Sequence, residues 1–115
     1  MEISSKVDSE TLFLNLSGDL IGEDTGLNII EIVNQTIDNA IYKGIIDISN
    51  VRYINSSGIG VLITILTKFR NKGGEVCLLS PSENVKKLLI ITKLNAIFRI
   101  AETVEEAIEK VKSTD

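Results

Sequence analysis

Two adjacent hydroxyls, Ser56 and Ser57, stand in the run Asn55-Ser56-Ser57-Gly58-Ile59-Gly60-Val61, between an apolar stretch and a long helical pattern without charge. A serine there has two chemistries open to it. It can accept a backbone N–H of the first helical turn, a cap worth about 1 kcal/mol. Alternatively its hydroxyl faces outward and takes a phosphate, at a helix start where unpaired N–H groups and the helix dipole favour an anion. Spacing alone favours the cap, with Gly58 and Gly60 keeping the turn unobstructed. Other chemistries lose their residues. Gly58-Ile59-Gly60 is not a dinucleotide fingerprint, since Ile63 holds the third glycine position, and no Gly-Lys-Ser/Thr occurs for a phosphate-binding loop. Asp47 lacks the second carboxylate that a magnesium-dependent phosphoaspartate needs, and is expected to organise the following loop by accepting backbone N–H groups. With no histidine and one cysteine, common zinc sites and histidine-based nucleophile activation are excluded, and neither metal nor cofactor is expected.

Presenting these hydroxyls takes a strand before them and a helix after. Gly44 to Ile48 is short, apolar and β-branched, as buried strands are. Ile59, Leu62, Ile63, Leu66 and Phe69 recur at the spacing of one helical face. Val61 and Ile65 lie off that face, a second apolar surface that a neighbouring helix or a partner must cover. Upstream, Ile3 to Val7 and Thr11 to Ser17 read as strands joined by Asp8-Ser9-Glu10, with Gly18 ending the second. A first helix follows, capped by Asp24 or Thr25, with Leu27, Ile30, Val33, Ile37 and Ala40 or Ile41 inward. Downstream, Asn71 to Gly74 stops the second helix before the strand Glu75 to Leu79. Ser80, Pro81 and Glu83 have the spacing of cap, first helical residue and capping box for a third helix. Ala96 to Ile100 reads as the last strand, and Thr103 and Glu106 repeat the box before a final helix.

The order β-β-α-β-α-β-α-β-α implies an α/β fold, a mixed and mostly parallel sheet with four helices, in a single domain over residues 1–115. Loops after the carboxyl ends of parallel strands form the functional edge. The Ser-Ser-Gly loop lies there, beside the Asp19 to Gly26 loop if their strands are neighbours.

A net charge of −4 with scattered basic residues argues against nucleic acid as a partner, since phosphate-backbone binding needs clustered Lys and Arg. Apolar runs stay far below the roughly 20 residues that span a bilayer, and no basic-then-apolar leader opens the chain. No membrane insertion and a cytoplasmic location are expected. Three glycosylation-like triplets, at Asn15, Asn34 and Asn55, are then chance matches, and Cys77 in its apolar run reads as a core thiol.

The run from Gly44 to Val61, followed by Gly73-Gly74-Glu75-Val76, Ser80-Pro81 and Val85 to Leu89, resembles the STAS domain of bacterial anti-sigma factor antagonists over nearly the whole chain. The Asp-Ser-Ser-Gly-Ile/Leu-Gly pattern after an apolar strand is the family's most specific mark, matched here from Ser56 to Gly60, and Leu16-Ser17-Gly18-Asp19-Leu20 looks like the family's early loop. The resemblance implies a STAS-type fold and a non-enzymatic protein that binds an anti-sigma factor, itself a serine kinase, and so regulates sigma-dependent transcription. It implies a phosphoacceptor at the second serine, Ser57, and a serine phosphatase that resets it. The expected partner-binding residues are Asp19, Asn55, Ser56, Ser57, Gly58, Ile59, Val61 and Ile65. Asn55 and Ile21 stand where the family usually has aspartate, each removing a carboxylate from the kinase-facing surface. Other members of the family imply an alternative, a non-phosphorylated interaction subunit of a stress-signalling scaffold or transport complex.

Overall fold

A computed structural model describes residues 1–21 and 24–112, the side chains of 24 and 25 excepted. Among these residues the chain runs β1 (Glu2–Asp8), β2 (Thr11–Leu20), α1 (Asp24–Asp38), β3 (Lys43–Ile54), α2 (Ser56–Arg70), β4 (Glu75–Leu79), α3 (Glu83–Ile91), a 3-10 turn (Leu94–Ala96), β5 (Arg99–Ala101) and α4 (Val104–Lys112). The five strands form one sheet in the order β1-β2-β3-β4-β5. β1 pairs antiparallel with β2, and every other pairing is parallel. The element order and the mixed sheet are those the sequence implies.

Alternation along the central strands makes two apolar layers. Ile46 and Ile48 of β3 and Val76 and Leu78 of β4 join the cluster that contains the inner residues of α1, α2 and α3. Ile45, Cys77 and Leu79 point to the other side, where Ala107 and Val111 of α4 cover them. Strands covered on both faces become continuous apolar runs, which is why β4 is buried at every position.

Several local expectations shift. β3 continues past Ile48 to Ile54, because β2 runs on to Leu20 and pairs with it beyond two irregularities, Leu20 opposite Ile54. Gly18, at φ +104, sits inside β2 and does not end it. Ser9 and Glu10, both at positive φ, form the two-residue hairpin. The inner face of α1 is Ile29, Val33 and Thr36, whereas Leu27 is 72% exposed. The cap role of Asp24 or Thr25 lies outside the described residues. In α3 the cap is Ser82, whose hydroxyl accepts from the Val85 N–H at 3.3 Å; Ser80 instead donates to the Glu102 carbonyl at 2.7 Å. β5 is shorter than expected because Leu94 to Ala96 form the 3-10 turn. Thr103 accepts from the Glu106 N–H at 3.2 Å, as the α4 start requires.

Candidate functional site

The first turn of α2 sits where β2 and β3 end side by side. The Asn55 N–H donates to the Leu20 carbonyl at 3.2 Å, and the Asn55 side-chain oxygen accepts from the Gly58 N–H at 2.8 Å. Asn55, in extended conformation, is therefore the N-cap of α2. That overturns the expectation that a serine caps this helix. Because the asparagine satisfies the orphan donor, both serine hydroxyls are left over: Ser56 and Ser57 are exposed, and among the described residues no side-chain hydrogen bond engages either. The cap is also uncharged, so the helix start keeps its positive end without a resident carboxylate.

Gly58 explains why this turn can lie so close to the sheet. A Cβ there would stand 2.2 Å from the Leu20 carbonyl oxygen, so the close approach requires a glycine. Gly60 is a different case: it is exposed, its φ is ordinary, and a Cβ would meet nothing within 4 Å. Glycine inside a helix costs about 1 kcal/mol relative to alanine.

Of the residues expected to meet a partner, Asn55 and Ile59 are half-buried and Ser56 and Ser57 are exposed. Gly58 is buried as the sheet contact, and Val61 (9% exposed) and Ile65 (1%) lie inside the protein's own core. This corrects the expectation for Val61 and Ile65. The cover is α1: a Cβ on Gly26 would stand 2.8 Å from Val61 Cγ2, so the second apolar surface of α2 is used by the neighbouring helix. The exposed residues of α2 are Ser56, Ser57, Gly60, Ile63, Thr64, Thr67 and, at its last position, Arg70, so the face is uncharged until its final turn. The expected apolar face included Ile63, Gly60 was read together with Gly58 as keeping the turn unobstructed, and Thr64 carried no expectation. The signal was present, since positions 57, 60, 64 and 67 are polar or glycine and recur at helical spacing.

Asp19 reaches the same edge through an ion pair with Arg52 at 3.3 Å, both side chains well exposed, a contact worth at most about 1 kcal/mol. Beside the α2 start lies a groove of about 520 Å³ between the tail of β3 and one face of α3. Tyr53 and Ile91 line it, 57% and 77% exposed, with Arg52 and Lys87 as its charged residues. Asp47 acts within its own strand, its carboxylate accepting from the Ser49 N–H at 3.0 Å and the Ser49 hydroxyl at 2.7 Å. Burial pushes the Cys77 thiol up to about 11, so it stays protonated and inert at neutral pH. No general base contacts Ser57 among the described residues, so the arrangement suits a hydroxyl modified by another protein better than a nucleophile activated from within.

The chain matches the family model of the STAS domain over residues 2–107. It is 33% identical over 81 residues to a Thermotoga neapolitana protein provisionally designated an anti-sigma factor antagonist, a match covering 70% of this chain and 72% of that one. The crystal structure of a Thermotoga maritima protein with the same provisional designation superposes with a TM-score of 0.86 at 28% identity, covering 96% of this chain and 94% of that one. The Bacillus cell fate determinant SpoIIAA in its phosphorylated form shares the fold, with a TM-score of 0.75 at 23% identity over 96% of this chain and 99% of that one. A family match over nearly all the residues that build the sheet and its functional edge settles the lineage: the chain belongs to the STAS domain family.

Proposed function

We propose that the protein is a non-enzymatic anti-sigma factor antagonist, working in the cytoplasm, whose α2 start docks on an anti-sigma factor that is also a serine kinase. Phosphate on Ser57 dissolves the complex, and a serine phosphatase restores it. The observation that carries this reading is the exposed, unengaged Ser57 hydroxyl on the first turn of a helix capped by the neighbouring asparagine. Relatives designated anti-sigma factor antagonists support the general role.

The energetics fit a binding switch better than a refolding one. Phosphorylation adds about −1.5 to −2 charges. The helix N-terminus stabilises them by about 0.3–1 kcal/mol, up to ~2 in a favourable geometry, too little to rebuild a sheet packed on both faces. In a docked interface the same dianion must be desolvated or set near like charge, which costs several kcal/mol. About 3 kcal/mol is a hundredfold in affinity.

The test is co-expression with each serine-kinase anti-sigma factor of the source genome, followed by intact-mass analysis with ATP. The expected result is one phosphate on the wild-type protein and on Ser56→Ala, and none on Ser57→Ala. Ser57→Ala should hold the partner in the presence of ATP, and Ser57→Asp should release it. Equal binding by Ser57→Asp and Ser57→Ala contradicts the switch.

A further inference from the structure

Gly60 has no role within the fold that accounts for it. It lies inside α2, where glycine ranks below every residue except proline; its φ is ordinary, and a Cβ would enter open space. Gly58, two residues earlier, has the internal reason that Gly60 lacks. The direction of helical side chains supplies a different reason. The Cα–Cβ bond tilts toward the helix N-terminus, so a residue covers the surface of the turn before its own. Position 60 is three residues after Ser57 and four after Ser56, the two spacings that bring helical neighbours into contact. Any side chain at 60 would therefore lean over the serine pair. Thr64, the next residue on this face, is turned back on the helix, its hydroxyl donating to the Gly60 carbonyl at 2.8 Å.

The charge pattern agrees. The chain carries a net charge of −4, yet α2 has no acidic side chain, and its basic residues, Lys68 and Arg70, lie in the last turn. The cap is a neutral asparagine. An incoming nucleotide phosphate thus meets helix N–H groups and no carboxylate of α2.

Resting on the assignment of Ser57 as the phosphoacceptor, we infer that Gly60 is a clearance residue: its missing side chain opens the space through which the kinase's catalytic loop and its bound ATP reach the Ser57 hydroxyl. Gly60 sets access to the acceptor and takes no part in the chemistry.

The experiment compares Gly60→Ala, Gly60→Gln and, two turns beyond on the same exposed face, Thr67→Gln, using the kinase that phosphorylates the wild-type protein. Melting temperature and the initial rate of phosphate incorporation are read for each. Gly60→Ala should melt above wild type, because alanine is the better helix former, and Gly60→Gln at or above it. Phosphorylation should fall severalfold in Gly60→Ala and at least tenfold in Gly60→Gln, with Thr67→Gln unchanged. A wild-type rate in Gly60→Gln, or an equal loss in Thr67→Gln, overturns the inference while leaving Ser57 as the acceptor. A lower melting temperature in Gly60→Ala also overturns it, since the glycine would then serve the fold. Failure of every source-genome kinase to modify wild-type Ser57 overturns the inference together with the reading it rests on.

Discussion

The two ends of α2 are held by opposite means. At its C-terminal end Arg70 donates to the buried Glu75 carboxylate at 3.2 Å and to the Ile97 carbonyl at 2.6 Å, while Arg99 donates to the other Glu75 oxygen at 3.0 Å. One carboxylate thus ties the helix end to β4 and β5. At its N-terminal end no charge takes part among the described residues: a neutral asparagine caps the helix, a glycine presses the turn against the Leu20 carbonyl, and two serine hydroxyls have no side-chain hydrogen bond to any described residue. Charge holds the end that supports the sheet, and among the described residues none holds the end that carries the two serines. In the proposed switch, a phosphate on Ser57 would meet no carboxylate of α2.

The contrast can be broken most severely at Gly58. Gly58→Ala forces a Cβ against backbone and should cost about 3 kcal/mol, measured by urea unfolding, despite alanine's better helix propensity. A cost below that of a surface substitution would mean that β2 does not pin this turn.

Glu75→Gln tests the other end and should cost about 2 kcal/mol. That is below the full penalty for breaking a buried pair, because the side chains of Arg70 and Arg99 are 43% and 34% exposed and reach solvent. The same group gives a pH signature. Burial pushes the Glu75 carboxyl up, but the Val76 N–H and the two guanidiniums outweigh it and hold it below its ordinary 4.5. A depressed folded value means stability that is full above the ordinary value and lost as pH falls through the folded one. Wild-type stability should therefore drop below about pH 4.5 more steeply than that of Glu75→Gln, as followed by thermal melts. Smaller again, Asn55→Ala should cost about 1 kcal/mol, the value of an N-cap, whereas Ser57→Ala should stay within about 0.5 kcal/mol of wild type. Equal losses in the two would show that the serine shares the capping.

How much of this was legible in the sequence depends on what kind of signal each residue carries. The element order and the parallel sheet were readable because β3, β4 and the helices have periodic apolar patterns that burial enforces. The cap of α4 at Thr103 was readable too, but that of α2 was not, because Asn55, Ser56 and Ser57 are all competent caps and the choice among them depends on where the Leu20 carbonyl anchors the turn, a contact made across the sheet. The same gap misplaced the α3 cap from Ser82 to Ser80. Val61 and Ile65 were recognised as a second apolar surface of α2, but only the packing of α1, with Gly26 lying on Val61, decides that the surface is internal. Gly60 carried the same expectation as Gly58, an unobstructed turn, since a glycine that meets nothing can be told from one that meets backbone only in three dimensions.

The central claim, that a charge at the uncharged end of α2 governs partner binding without altering the fold, is tested most directly by one titration. The dissociation constant of the complex with the kinase anti-sigma factor should be measured for unmodified protein and for protein phosphorylated on Ser57, alongside their far-ultraviolet circular dichroism. The account predicts affinity at least a hundredfold weaker for the phosphorylated form, about 3 kcal/mol, with superimposable spectra. Equal affinities, or a loss of affinity accompanied by a changed spectrum, would contradict it.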